Sequence, residues 1–177
     1  MVPPAGPLMR EHRLIERMIT LMSKELGRVK KDRKVNPALI DIAVDFLRAY
    51  ADRCHHGKEE DILFRNLGLK PLSAEHKIIL DQLFADHAFA RATVAELVAA
   101  KESYVKGDWK SIQDIESCLS KLVDLYPRHI AMEDKQFFLP CMQYFSIEEQ
   151  EAMIAEFWEF DRMLIHERYD RIVKQLE

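Results

Sequence analysis

Two stretches of the chain repeat one chemical pattern. His55-His56-Gly57-Lys58-Glu59-Glu60-Asp61-Ile62-Leu63-Phe64 and His129-Ile130-Ala131-Met132-Glu133-Asp134-Lys135-Gln136-Phe137-Phe138 both read H-x-x-x-E-[ED]-x-x-[LF]-F. Residues four apart lie on one face of a helix, so each copy offers an imidazole beside a carboxylate. Imidazole and carboxylate groups projecting inward from packed helices are how a two-metal site is assembled, and this donor set suits iron or manganese.

Which face each residue occupies tests that idea. At about 100° per residue, His55 and Glu59 fall on the otherwise apolar line of Ile40, Val44, Leu47, Ala51 and Ile62. His129 and Glu133 continue Ile115, Cys118, Leu122 and Leu125, while His12 lies with Leu8, Ile15, Ile19 and Leu26. His87 lies with Leu80, Leu83, Ala90 and Val94. Four segments therefore each carry one inward histidine. His55 and His87 stand about 18 and 20 Å from the connection between their helices, which sets them at one level in an antiparallel pair. Burying six ionisable groups without a counter-charge is costly. The reading is a metal site made by His12, His55, Glu59, His87, His129 and Glu133.

The same count places His56 and Glu60 on an outward line with Asp45, Ala49 and Asp52. His76 faces as His87 does but lies about 16 Å away along the axis, outside the site. His56, His76 and His166 are read as surface residues or as partners to the ligands. Glu16 is read as a solvated carboxylate or a partner to a ligand rather than a ligand, and Arg91 as reaching solvent or pairing with Glu16. Tyr50, Cys54 and Tyr126 lie near the ligands in sequence and are read as packing residues, with a hydrogen-bonding or redox role as the alternative.

The elements that must position these groups are helical almost throughout, since apolar residues recur at three and four and strand-like alternation is absent. The first helix is expected over about 8–27, closed near Gly27, with the basic stretch Arg28 to Asn36 as its connection. Asn36-Pro37 opens a second helix to about Leu67. Ser73 caps a third, which ends before Gly107, and Asp108 caps a fourth, kinked or loosened by a turn at Pro127, to about Phe145. Ser146-Ile147-Glu148-Glu149 has the form of a capping box and opens a fifth. Short connections between long helices predict an all-α fold: an up-down-up-down antiparallel four-helix bundle over about 8–145, with an additional C-terminal helix over about 146–177, in a single domain.

Composition narrows the function classes. The chain has 177 residues, a net charge of −4 and only five glycines. That balance argues against a nucleic-acid partner, and no phosphate-cradling glycine loop is present. Cys54, Cys118 and Cys141 have no paired spacing, so neither a disulfide framework nor a zinc-thiolate site is expected. No apolar run reaches the length of a membrane span, and Met1 to Pro7 does not read as a signal peptide. The expectation is a cytoplasmic protein without membrane contact. The run from Glu156 to Tyr169 is read as an amphipathic packing face, with a homodimer or partner contact as the alternative.

Four segments carry a family resemblance: Glu11-His12-Arg13-Leu14-Ile15-Glu16, Cys54-His55-His56-Gly57-Lys58-Glu59-Glu60, Asp86-His87-Ala88-Phe89-Ala90-Arg91, and His129-Ile130-Ala131-Met132-Glu133-Asp134 with Leu139-Pro140 beyond. Together they resemble the hemerythrin-like family, also called HHE cation-binding domains. The resemblance implies two non-haem iron ions, other divalent metals being the alternative. Their ligands would be His12, His55, Glu59, His87, His129 and Glu133, with the glutamates bridging. Oxygen-carrying hemerythrins have one more histidine on the third helix, and here the position four after His87 is Arg91. Four histidines with two carboxylates look like the bacterial proteins linked to nitric-oxide stress and iron-centre repair, which points away from simple oxygen carriage. The expected function is a di-iron protein binding O2 or NO as a sensor, scavenger or repair factor. The alternatives are a di-iron oxidoreductase with peroxidase-like or NO-reducing activity, and an interaction module in which the metal is structural.

Overall fold

The computed structural model describes the backbone of residues 3–176 and the side chains of residues 3–164, with no strand among them. Helix α1 spans Ala5–Asp32. It runs straight through Gly27, where the sequence suggested an end. A mid-helix glycine costs only about 1 kcal/mol, and the turn beyond it buries Val29 and places Lys30 and Lys31 against the negative helix end. The stop comes at Arg33, whose left-handed backbone (φ 50°) sends its amide back to the Val29 carbonyl.

Helix α2 covers 37–67. Its entry is capped as expected: the Asn36 side chain accepts a hydrogen bond from the Leu39 amide at 3.3 Å, with Pro37 as the first helical residue. The Asn36 amide donates to the buried Glu25 carboxylate at 2.7 Å, which ties the entry of α2 to α1. Asn36→Ala is expected to cost about 1 kcal/mol, seen as a melting temperature lower by about 2–4 °C. An unchanged melt would show that this cap contributes nothing. Beyond Phe46, α2 is not an ordinary helix. Leu47–His56 and Glu59–Phe64 form wide π turns, in which the Gly57 amide reaches the Asp52 carbonyl and the Arg65 amide that of Glu60, five residues back.

Helix α3 spans Ala74–Val105, capped by the Ser73 hydroxyl, which accepts from the His76 amide at 3.1 Å. Helix α4 covers 109–144 and opens on the Asp108 carboxylate, which accepts from the Lys110 amide. It stays helical through Pro127 and widens into a π turn at Glu133–Phe137. Helix α5 spans Ile147–Leu176. Its capping box is reciprocal: the Ser146 amide donates to Glu149 at 2.8 Å and the Glu149 amide to Ser146 at 3.2 Å.

Helix α1 packs on α2 and α4, α3 packs on α2 and α4, and α5 lies against α2. Close approach of α5 depends on Gly57, where a Cβ would stand 2.6 Å from the Phe160 ring. The apolar interior divides into two clusters. One holds Ile15, Leu47, Ala51, Ala90, Leu122 and Ile130. The other holds Leu8, Ile62, Leu83, Phe137, Met153 and Phe157. On every one of α1 to α4 the chain passes from one cluster to the other through a histidine or glutamate. The functional candidates form the polar layer between.

Candidate metal centre

That layer brings together all six residues the spacing pointed to. His12, Glu59 and Glu133 are fully buried, and His55, His87 and His129 nearly so. His12 and His55 face each other with their Nε2 atoms 2.9 Å apart, and His87 and His129 do so at 3.2 Å. Two nitrogens held about 2.1 Å from one cation at right angles would lie about 3.0 Å apart. The glutamates join the two pairs. Glu59 turns Oε1 to His55 Nε2 at 3.1 Å and Oε2 to His87 Nε2 at 3.4 Å. Glu133 Oε2 faces His12 Nε2 at 3.1 Å and His129 Nε2 at 3.3 Å.

The outer nitrogen of each imidazole is also engaged. His55 Nδ1 meets Glu11 at 2.9 Å, His87 Nδ1 meets Glu60 at 2.6 Å, His129 Nδ1 meets Asp86 at 3.3 Å and His12 Nδ1 meets Asp134 at 2.7 Å. Each of these carboxylates sits beside a candidate ligand on its own helix and holds the histidine of the next helix. The contacts run α1 to α2, α2 to α3, α3 to α4 and α4 back to α1. A carboxylate on Nδ1 fixes that nitrogen as the donor and leaves the Nε2 lone pair inward, which is how metal-binding imidazoles are oriented. These four acidic residues were missed as partners. Their signal was in the sequence as an acidic residue adjoining a ligand on every helix.

A further set of donors holds the carboxylates. Lys58 bonds Glu11, Arg13 bonds Asp134, Gln82 donates to Asp86 at 2.7 Å and Arg91 to Glu60 at 2.8 Å. Arg91 also donates to Asp52 at 2.7 Å. It therefore neither reaches free into solvent nor pairs with Glu16, whose partner is Arg13 at 3.0 Å. Arg91 stands one turn beyond His87, on the side of α3 that faces α2.

His56 corrects the face count. It is only 2% exposed, its ring stacks on His87 with centroids 3.7 Å apart, and it joins Glu59, His87 and His129 with ligand atoms within 4.8 Å of one another. The cause is the π turn. More residues fill each wide turn, so neighbouring side chains diverge by less than about 100° and both His55 and His56 reach inward. Glu60 is also drawn in far enough to hold His87. His76 lies outside the layer as expected, bonded to the Tyr144 hydroxyl at 2.8 Å. The side chain of His166 falls outside the described residues. Cys54 is half-buried and burial pushes its thiol up to about 12, so it is not a ready nucleophile.

The electrostatics of the layer follow from burial opposed by close charges. Burial would depress the protonation of His55, but Glu59, Glu11 and Glu133 outweigh it and hold it up to about 10. His129 is likewise opposed by burial yet raised to about 10 by Glu133 and Asp86. His12 is raised against burial by Asp134 and Glu133. Burial and the neighbouring imidazoles of His87, His55 and His129 push His56 well below the usual histidine range. Glu133 is held well below the carboxylate range by His129 and His12 despite burial. The layer is thus built around positive charge at its centre.

A family model for the hemerythrin HHE cation binding domain matches residues 5–141. The chain belongs to the hemerythrin HHE family. The match takes in α1 to α3 and most of α4, and α5 lies beyond it. No curated protein and no solved structure shows significant similarity to the chain.

The HHE domain is a cation-binding one, and the donor set here fits that description. Both oxygens of Glu59 and both of Glu133 are buried without a hydrogen-bond donor. Buried carboxylate oxygens are rarely left so, because their desolvation then goes uncompensated. Three of these oxygens lie 3.1–3.4 Å from an imidazole Nε2, where positive charge, a proton on the ring or a cation between ring and carboxylate, makes the contact favourable. Two groups of potential ligands share Glu59: His12, His55, Glu59 and Glu133 in one, His56, Glu59, His87 and His129 in the other. No helix among the described residues is long and apolar enough to cross a membrane.

Proposed function

We propose that the domain is a non-haem di-iron protein that binds a small gas molecule, O2 or NO, as a sensor, scavenger or iron-centre repair factor. In this reading His12 and His55 hold one ion, His87 and His129 the other, and Glu59 and Glu133 bridge them. Helices α1 to α4 form an up-down-up-down bundle around the pair. The supporting observation is the pair of buried glutamates, donor-free at all four oxygens and set between two groups of imidazoles.

Bound iron would supply the gas affinity and the electron exchange. The chain's own part is to orient, insulate and balance charge. Glu11, Glu60, Asp86 and Asp134 fix the imidazole rings and raise their basicity. The two apolar clusters exclude bulk water above and below the layer, which strengthens every electrostatic contact inside it. The bridging carboxylates lower the repulsion between neighbouring cations.

The test is elemental analysis of protein produced with ample iron, followed by anaerobic titration of the reduced sample with NO and with O2. About two irons per chain and a saturable optical change with either gas are expected. A single zinc ion, or full iron loading with no response to either gas, would overturn the reading.

A further inference from the structure

Five imidazoles enter the polar layer, and one is held differently. His12, His55, His87 and His129 each place Nε2 within 3.4 Å of a Glu59 or Glu133 oxygen. His56 touches neither glutamate among the described residues. Its one carboxylate partner is Asp52, at 3.3 Å from Nδ1. It is nevertheless within ligand range of the His87 and His129 group.

Beside this ring lies a cavity of about 100 Å³ between α2, α3 and α4, walled by Leu47, Ala90 and Val94, with Arg91 at its exposed rim and Tyr126 within. A water occupies about 30 Å³ of liquid, so the space takes an imidazole ring or a molecule of two or three atoms. Tyr126 is 3% exposed, its ring is nearly parallel to that of His56 at 6.5 Å, and its hydroxyl makes no hydrogen bond among the described residues. The Tyr126 side chain and the His56 ring share the wall of this cavity, and a phenol hydroxyl that is not already bonded can donate to an imidazole nitrogen brought beside it. The rim is closed by Arg91, which clamps Asp52 and Glu60 together.

Resting on the metal reading above, we propose that His56 is a displaceable seventh ligand. With its ring inward it completes the His87 and His129 half of the centre. With its ring turned into the cavity, bonded to the Tyr126 hydroxyl, it vacates a coordination position for a linear molecule of two or three atoms. The cavity is the second seat of this side chain, and its small size sets the size of ligand admitted.

Cobalt-loaded protein titrated with azide tests this. His56→Ala is expected to keep the wild-type cobalt stoichiometry, because the other ligands of that half remain. It is also expected to change the visible spectrum and to bind azide about tenfold more tightly, the competition from the ring being gone. Ala90→Leu, which fills the second seat, is expected to leave the spectrum unchanged and weaken azide about tenfold. Tyr126→Phe is expected to weaken it about fivefold through loss of one hydrogen bond. Loss of one cobalt in His56→Ala would make His56 a fixed ligand, and an unaltered spectrum would remove it from the ligand set. Either result overturns the proposal while the metal reading stands. Wild-type protein that takes up no cobalt overturns both.

Discussion

For the proposed two-cation centre, Glu59→Gln is expected to strip both cations from the domain, whereas His12→Ala or His87→Ala removes only one. The difference follows from where the oxygens of Glu59 point. One faces His55 and the other His87, so each half loses a donor and the charge shared between them. Glutamine keeps the shape but offers one acceptor and no charge. Affinity at both positions should fall by about 100-fold or more, beyond the upper end of the effect of changing an outer hydrogen-bond partner. Stability reports the same loss. Metal at about a hundredfold above its Kd adds about 2.7 kcal/mol per ion, so two ions add about 5 kcal/mol. For a chain of this size that corresponds to about 10–20 °C in Tm. Wild-type protein should lose that increment on chelation, and Glu59→Gln should melt at the chelated temperature with or without added metal. Thermal melts with paired elemental analysis check both points. A Glu59→Gln protein that keeps one ion at full affinity would show that Glu59 serves one half only.

How much of this centre was legible from residue types depended on helix geometry. An ordinary helix repeats at 3.6 residues, and wherever α1 and α3 keep that repeat, the apolar lines through His12 and His87 led directly to the layer. In α2 the repeat fails from Leu47 onward, and an ideal wheel put His56 outside when it stacks on His87. Nothing local announces that widening, since Leu47–His56 contains neither proline nor glycine. Gly27 misled in the opposite way: its cost is small against the burial of Val29 two residues later. The capping residues Asn36, Ser73, Asp108 and Ser146 were readable because each satisfies a backbone amide within three residues of itself. The carboxylates that hold the histidines span different helices, so their pairing became definite only when those helices were placed side by side. Their position next to each ligand was the clue.

Lys58→Met is expected to destabilise the domain by about 3 kcal/mol, the lower end for breaking a buried ion pair. Lys58 is only 1% exposed and its ammonium lies between Glu11, the partner of His55, and Asp161 of α5 at 2.8 Å. Methionine fills the stem volume but leaves Glu11 with His55 alone. Asp161 is partly exposed and can turn to water, which keeps the cost from rising further. Tm should drop by about 6–12 °C, and α5, which carries both Asp161 and the Phe160 ring packed at Gly57, should loosen first. The ion pair also sets an alkaline limit. Burial opposes the charge on Lys58, but Glu11 and Asp161 outweigh it and raise the group from 10.5 to about 12. A raised folded-state value means the stabilisation is complete below pH 10.5 and fades as pH climbs through about 12. Wild-type protein should therefore lose stability across that window, and Lys58→Met should show a shallower decline there, having nothing left to lose at this position. Equal alkaline slopes in denaturant titrations of the two proteins would mean that the ammonium contributes no net charge stabilisation. The cost of the substitution would then come from packing alone.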